Sequence, residues 1–170
     1  MSEAPKGGTD GPYPAPLECG GGTVLPEWID YNGHMNVAYY VLAFDQAVDR
    51  MLERWLGIGE SFVADARQGP YALQSSIHYL DELLEGEAFA VDGLLIDCDA
   101  KRMHVMLRML KADGAVAATY EQLLMNVDLE ARRSAPYPDW AQARLERMKA
   151  DHADAPRPPQ FGQPLGIRRR

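Results

Sequence analysis

Cysteine is nearly absent from this chain of 170 residues, which contains only Cys19 and Cys98. Two cysteines do not make the disulfide framework that stabilises small secreted domains. The first residues also lack the apolar core of a signal peptide, and no hydrophobic run approaches the roughly 20 residues of a membrane span. We therefore expect one cytoplasmic domain without a membrane partner.

Positive charge is also in short supply. The sequence has 17 lysines and arginines against 25 aspartates and glutamates, which gives a net charge of −8. This balance argues against a nucleic-acid partner, because phosphate backbones are bound by basic surfaces. His78, His104 and His152 have no cysteine or carboxylate at metal-ligand spacing, so neither a metal nor a cofactor is expected.

Glycine and proline are concentrated at the two ends of the chain. Residues 1–15 and 153–170 are rich in them, which predicts a flexible N-terminal arm and a flexible C-terminal tail around a domain over residues 16–152. Within that domain, residues 16–27 favour a strand with a bulge at glycines 20–22, and apolar residues at helical spacing predict a long helix over residues 36–56.

Period-two alternation follows the helix and predicts four more strands. Tyr71 to Tyr79 alternate along the first of these, Gly93 is expected at a bulge in the second, and Asp113-Gly114 predicts a hairpin between the last two. A short helix from Pro138 to about residue 150 closes the domain. This order predicts an α+β fold in which a curled antiparallel sheet of about five strands wraps around one long central helix.

One polar segment precedes the apolar start of that helix. It is Asp30-Tyr31-Asn32-Gly33-His34-Met35-Asn36, and the helix continues with Val37–Phe44, apolar on every side and therefore expected in the core. The segment can supply a general base, an orienting amide and a proton shuttle beside the free N–H groups of a helix N-terminus. Aspartate and asparagine before a helix also serve as capping and turn residues, so the pattern alone leaves both roles open.

The segment resembles the motif of the hotdog-fold acyl thioesterases. Asp30, Asn32, His34 and Asn36 match the Asp-x-Asn-x-His-x-Asn pattern of the plant acyl-carrier-protein enzymes, and Asp30 with Gly33 resembles the 4-hydroxybenzoyl-CoA type, which lacks a counterpart of His34. The resemblance covers about residues 17–130. It implies the hotdog fold, hydrolysis of an acyl-CoA thioester, and catalysis by Asp30, Asn32 and His34.

The longer string from Leu25 to Asn36 is similar to one subgroup, the thioesterases of carnitine breakdown that act on betainyl-CoA. A curled sheet over one helix leaves an open face and strand edges that association usually covers, so a homodimer or homotetramer is expected. The resemblance implies that its sites lie at the subunit boundary. Two other hypotheses about the function stay open. A hotdog enoyl-CoA hydratase would share Asp30 and Asn32 but needs a proline and a later histidine, and a non-catalytic module would bind acyl-CoA without cleaving it.

Further residues are expected to bind substrate rather than act on it. Aromatic faces hold a trimethylammonium group by cation–π contact, and basic side chains receive the phosphates of coenzyme A. The predicted binding residues are Asn36 in the motif, Trp28, Tyr31 and Tyr40 around it, and Lys101 and Arg102 at a turn between strands. Core packing for the aromatic residues and a solvated turn for the basic pair are the ordinary alternatives.

Overall fold

The long helix α1 begins and ends as its sequence predicts. In the computed structural model, which describes residues 7–167 and Arg169, it spans Val37–Arg50 and continues as a π-helical segment, Met51–Leu56. The side chain of Asn36 caps the helix by accepting a hydrogen bond from the backbone N–H of Ala38 at 2.9 Å. Gly57 ends the segment in the left-handed conformation, with φ of 71°.

Only one face of α1 is buried. Phe44 is fully buried and its ring stacks on that of Tyr120 with centroids 5.0 Å apart. Val37, Val41 and Leu42, on the other side, remain 40–56% exposed. The expectation of a helix buried on every side is therefore wrong for this single chain, since the sheet covers one side of α1 and leaves an apolar stripe open.

The sheet consists of antiparallel strands in the order β1-β3-β4-β5-β2, with β6 added to β5. Its strands are β1 (Leu17–Thr23), β2 (Gln68–Tyr79), β3 (Ala88–Cys98), β4 (Arg102–Lys111), β5 (Val116–Asp128) and β6 (Arg133–Ser134). Two further helices are α2 (Glu60–Ala66) and α3 (Asp139–His152). The α+β class and the five main strands are confirmed.

One of the two bulges expected from the sequence is present. The register of β1 shifts between Glu18 and Gly21, which confirms the bulge expected at glycines 20–22. Gly93, in contrast, pairs regularly with Leu107, so the bulge expected there is wrong. A Cβ at Gly93 would lie 3.1 Å from the side chain of Leu107, so this glycine permits close packing rather than a bend.

A bulge that the alternation does not reveal interrupts β2. The register shifts between Ala72 and Gln74, so that Tyr71 lies opposite Met125 whereas Ser75 lies opposite Gln122. Residues paired across antiparallel strands share a face, and adjacent residues on β5 alternate faces. Tyr71 therefore points to the outer face of the sheet and Ser75 to the inner face, and the single face expected for Tyr71 to Tyr79 is wrong.

The N-terminal arm is packed where the structure describes it. Tyr13 is 4% exposed, and its backbone N–H donates to Asp151 on α3 at 2.9 Å. Arg144 of α3 donates to Asp10 at 2.8 Å. The sequence predicts a flexible arm over residues 1–15, whereas these contacts hold residues 7–13 against α3. Residues 1–6 lie outside the described part of the chain.

The C-terminal tail also has contacts with the domain. The ring of Phe161 stacks on His104, and the backbone N–H of Gly162 donates to Glu121 at 2.9 Å. Flexibility expected over residues 153–170 thus does not extend to this stretch, while Arg168 and Arg170 are not among the described residues. No helix in the described ranges is long and apolar enough to cross a membrane.

We expect His152 to make the fold sensitive to mild acid. It is 4% exposed, its Nδ1 accepts the backbone N–H of Leu95 at 2.9 Å, and its Nε2 lies 2.9 Å from the carbonyl of Pro14. Burial is the main cause that lowers the pKa of His152 below its ordinary value. The unfolded chain therefore binds a proton at a higher pH than the folded chain, and stability falls as the pH drops below about 6.5.

Thermal melting between pH 7.5 and 5.5 measures this effect. The loss amounts to at most about 1.4 kcal/mol per pH unit, because one proton is involved. The variant His152→Gln should show a flatter dependence on pH, and His78→Gln serves as the control for removal of a histidine elsewhere. A slope that is identical in wild type and His152→Gln would contradict the prediction.

Candidate active site

Residues 30–34 form a tight loop at the N-terminus of α1. The backbone N–H of Asp30 donates to the carbonyl of His34, and that of Gly33 donates to the carbonyl of Asp30, each at 3.0 Å. The Asp30 carboxylate accepts the backbone N–H of Asn32 at 2.8 Å. Gly33 has φ of 82°, a conformation that favours glycine and lets the loop reverse. The motif is thus a reversing loop rather than an extended strand.

This loop brings the carboxylate and the imidazole together. Nε2 of His34 lies 3.9 Å from Oδ1 of Asp30, and the Asp30 side chain is only 14% exposed. The amide of Asn36, which caps the helix through its oxygen, directs its nitrogen to Oδ2 of Asp30 at 3.5 Å. The capping role and the proposed catalytic role therefore coexist, since the cap residue also holds the carboxylate at the positive end of α1.

Asn32 and Asn36 differ in how they are presented. The side chain of Asn32 is exposed at the tip of the loop, where a ligand can reach it. The side chain of Asn36 is engaged by Ala38 and Asp30. The geometry therefore gives Asn36 a positioning role, and its contact with substrate stays a prediction.

A carboxylate that the sequence analysis missed lies on the other side of the imidazole. Oε2 of Glu82 is 3.3 Å from Nδ1 of His34. His34 is thus flanked by Glu82 at one ring nitrogen and by Asp30 at the other. No local pattern connects these residues, because Glu82 is 48 positions away in the sequence. The tertiary fold alone assembles the row Asp30–His34–Glu82.

The loop that carries Glu82 is fixed from several directions. The backbone N–H of Met35 donates to the carbonyl of Leu83 at 2.8 Å, and Leu83 is fully buried. Tyr40 accepts the backbone N–H of Leu83 on its hydroxyl at 3.0 Å. Lys111 donates to the carbonyl of Glu82 at 2.9 Å and lies 3.3 Å from the carboxylate of Asp81. A loop held in this way presents Glu82 in a defined position.

The three aromatic residues predicted to bind substrate have separate environments. Trp28 stacks on Tyr39 with centroids 5.2 Å apart, and Tyr40 is 4% exposed with its ring against Tyr79. Tyr31 is 96% exposed at the tip of the loop of residues 30–34. One chain therefore does not bring these rings together as a cage, and Tyr31 is the ring that is open to a ligand.

Lys101 and Arg102 lie far from the loop of residues 30–34 within one chain. They follow β3, whereas Trp28 contacts Phe89 near the start of that strand. The 11 residues of β3 span roughly 35 Å. Arg102 is already paired with Asp99 at 2.8 Å. The geometry therefore does not join this pair to the site in one chain, and its role towards phosphate stays a prediction.

The described side chains provide neither a metal-ligand cluster nor a reactive thiol. Within residues 7–167, no group of three or more histidine, cysteine or carboxylate side chains could hold a metal ion. Cys19 and Cys98 are free thiols, and burial raises the pKa of Cys19 to about 12 and that of Cys98 to about 11. Thiols of this kind are poor nucleophiles at neutral pH, so the reactive groups of the site are carboxylate, amide and imidazole.

Comparison with known families decides the class of this site. The sequence profile of the thioesterase-like superfamily matches residues 24–145, which include the whole motif and the loop with Glu82. The chain belongs to the thioesterase-like superfamily. Its resemblance to the hotdog acyl thioesterases is thereby confirmed.

Curated relatives narrow the likeness to one subgroup of this superfamily. The chain is 33% identical over 145 residues to the betainyl-CoA thioesterase of Pseudomonas aeruginosa. That match covers 85% of this chain and 91% of the relative. It is 32% identical over 155 residues to the L-carnitine dehydrogenase/betainyl-CoA thioesterase of Rhizobium meliloti. That match covers 91% of this chain and 31% of the fusion protein.

Solved structures of the superfamily share the fold. A Staphylococcus aureus protein determined in complex with CoA superposes with a TM-score of 0.81 at 27% identity, covering 93% of this chain and all of that chain. A protein from Pseudomonas putida KT2440 superposes with a TM-score of 0.78 at 32% identity, covering 92% of this chain and 99% of that chain. The expected hotdog fold is confirmed.

Proposed function

We propose that this protein hydrolyses an acyl-CoA thioester to a free acid and coenzyme A. The observation that carries the proposal is the largely buried Asp30 carboxylate, held beside His34 at the N-terminus of α1. A carbonyl that docks at the first turn of the helix meets its positive end, which favours the negative charge that develops on the oxygen. Membership of the thioesterase-like superfamily supports the same reaction.

In the proposed mechanism a proton passes from Asp30 through His34 to the leaving sulfur, while Glu82 orients the imidazole. Asp30 takes a proton from water as the water oxygen attacks the carbonyl carbon, and Asn32 orients the water or the carbonyl. The carbon–sulfur bond then breaks, and His34 delivers the proton from Asp30 to the departing thiolate. Glu82 accepts a hydrogen bond from Nδ1, which leaves Nε2 towards Asp30 and the sulfur. Direct attack by Asp30, through a transient anhydride, is the alternative first step.

For the acyl group we propose betainyl, the cationic trimethylglycyl unit. The named relatives support this choice, and so do the exposed Glu82 carboxylate beside His34 and the exposed ring of Tyr31, which can face a trimethylammonium group. Glycine betaine is then expected to inhibit hydrolysis at least about tenfold better than 3,3-dimethylbutanoate, its isostere without the cationic charge, as a cation–π and ionic contact would require. Equal inhibition constants would remove the cationic acyl group from the proposal.

A second copy of the chain is expected to complete the protein. The outer edge of β2 pairs with no strand among the described residues, and Tyr71 and Leu73 on this edge strand are each 49% exposed. The apolar stripe of α1, Val37, Val41 and Leu42, is exposed as well. Unpaired edges and apolar stripes are normally covered by association, so we propose a homodimer joined along β2.

A thiol-release screen tests the proposed function most directly. Betainyl-, benzoyl- and fatty-acyl-CoA are offered at equal concentration, and the release of free thiol is measured. In a parallel assay the ultraviolet absorbance of crotonyl-CoA reports whether its double bond is hydrated. Betainyl-CoA should give the largest kcat/KM, and crotonyl-CoA should keep its double bond. Binding without thiol release would indicate a non-catalytic module, and loss of the double bond would indicate a hydratase.

A further inference from the structure

The C-terminal segment, residues 156–167, crosses the outer face of the sheet towards its open edge. Its first residues lie against Met106 and Arg108, on β4. Phe161 then stacks on His104 of β4 with centroids 5.6 Å apart, and Gly162 donates its N–H to Glu121 of β5. The segment next lies beside Gln74–Ser76 of β2. It therefore runs across the strands in the order β4, β5, β2.

Side-chain contacts fix the course of this segment across the sheet. Arg157 covers the other side of Phe161, with its guanidinium 4.7 Å from the ring centroid. His104 is paired with Glu121 at 2.8 Å, so the two groups that hold Phe161 and Gly162 are themselves joined. These contacts direct the segment to β2, which is the last strand of the sheet.

At that edge the segment presents apolar groups to solvent. Leu165 and Ile167 are fully and 90% exposed, respectively. A groove of about 460 Å³ separates residues 162–165 from β2 and is lined on the sheet side by Gln74, Ser76 and Leu123. Two exposed aliphatic side chains next to an edge strand gain free energy when another surface covers them.

We propose that the C-terminal segment of each chain docks on the outer face of a second copy of this chain, across the β2–β2 junction. The inference rests on the proposed homodimer. Pairing along β2 continues the sheet into the partner, so the surface that meets Leu165 and Ile167 is the partner's own outer face. Charge favours the same contact, because residues 156–170 contain four arginines and no carboxylate, whereas the whole chain carries −8.

The dissociation constant of the dimer, measured by sedimentation velocity over a dilution series, tests this docking. Leu165→Asp combined with Ile167→Asp should raise it on the order of 100-fold, because burial of two aliphatic side chains is lost. The matched control Leu165→Val with Ile167→Val keeps the apolar surface and should change it less than fivefold. An unchanged constant in the aspartate variant, or a wild type that is monomeric throughout, would overturn the inference.

A photo-crosslinking amino acid at position 167 gives an independent readout. In the proposed docking its target lies on the partner, so irradiation should yield covalent dimers. Crosslinks only within one chain, or to another protein in a cell extract while the purified protein gives none, would overturn the docking. Thiol release from betainyl-CoA is measured on the same wild-type sample, so loss of the docking and failure of the proposed hydrolysis are seen separately.

Discussion

Replacement of Asp30 by asparagine is expected to lower kcat for thioester hydrolysis by about 10³-fold. Asparagine keeps an oxygen that can accept the N–H of Asn32, so the loop is expected to retain its conformation. It removes the negative charge that a base or a nucleophile requires. Thiol release at saturating substrate measures the loss, and KM should change much less than kcat because the substrate carbonyl still reaches the N-terminus of α1.

A matched control exists in the hairpin between β4 and β5. Asp113 accepts the N–H of Ala115 at 2.9 Å, the same contact two residues ahead that Asp30 makes with Asn32 at 2.8 Å. Asp113→Asn should retain wild-type activity. Circular dichroism and thermal melting establish that both variants fold. Full activity of a folded Asp30→Asn protein would refute the assignment of this carboxylate.

The second large effect is expected at His34, where alanine should lower kcat by about 10²–10³-fold. The imidazole lies between Asp30 and Glu82 and is the group that can carry a proton to the departing sulfur. Glu82→Gln alone should lower kcat by about tenfold, because it removes the carboxylate that fixes the ring. If Glu82 acts through His34, the Glu82→Gln substitution should have no further effect in the His34→Ala background.

The double-mutant cycle separates this role from a general disturbance of the loop. Glu82→Asp should recover part of the lost rate, since a shorter carboxylate can still approach Nδ1. Glu85→Gln, on the same loop, and His78→Ala, on β2, serve as controls for removal of a carboxylate and of an imidazole. Additive losses from Glu82→Gln and His34→Ala would show that the two side chains act independently.

Local sequence was sufficient for the parts of the site that lie within one loop. Asp30, Asn32, His34 and Asn36 are close in the chain, and Gly33 permits the reversal that brings them together. Glu82, in contrast, reaches His34 only because Leu83 is buried and Tyr40 and Lys111 fix its loop. A side chain 48 residues away leaves no periodic or spacing signal at the motif.

Bulges and exposed faces show the same division. The bulge in β2 turns Tyr71 and Ser75 to opposite faces, although their spacing in the sequence is even. Gly93 follows a regular register because it makes room for Leu107, a neighbour on another strand. Such features depend on residues of neighbouring strands. The alternation of residues along one strand carries no information about those neighbours.

The sequence by itself determined the helix with its asparagine cap and glycine end, the antiparallel strands, and the polar loop, because each depends on residues within a few positions of one another. The tertiary structure alone decided that Glu82 lies beside His34, that residues 7–13 and 156–162 pack on the domain, and that α1 and β2 keep apolar surfaces open. These outcomes depend on contacts between distant segments, and only the folded chain brings those segments together.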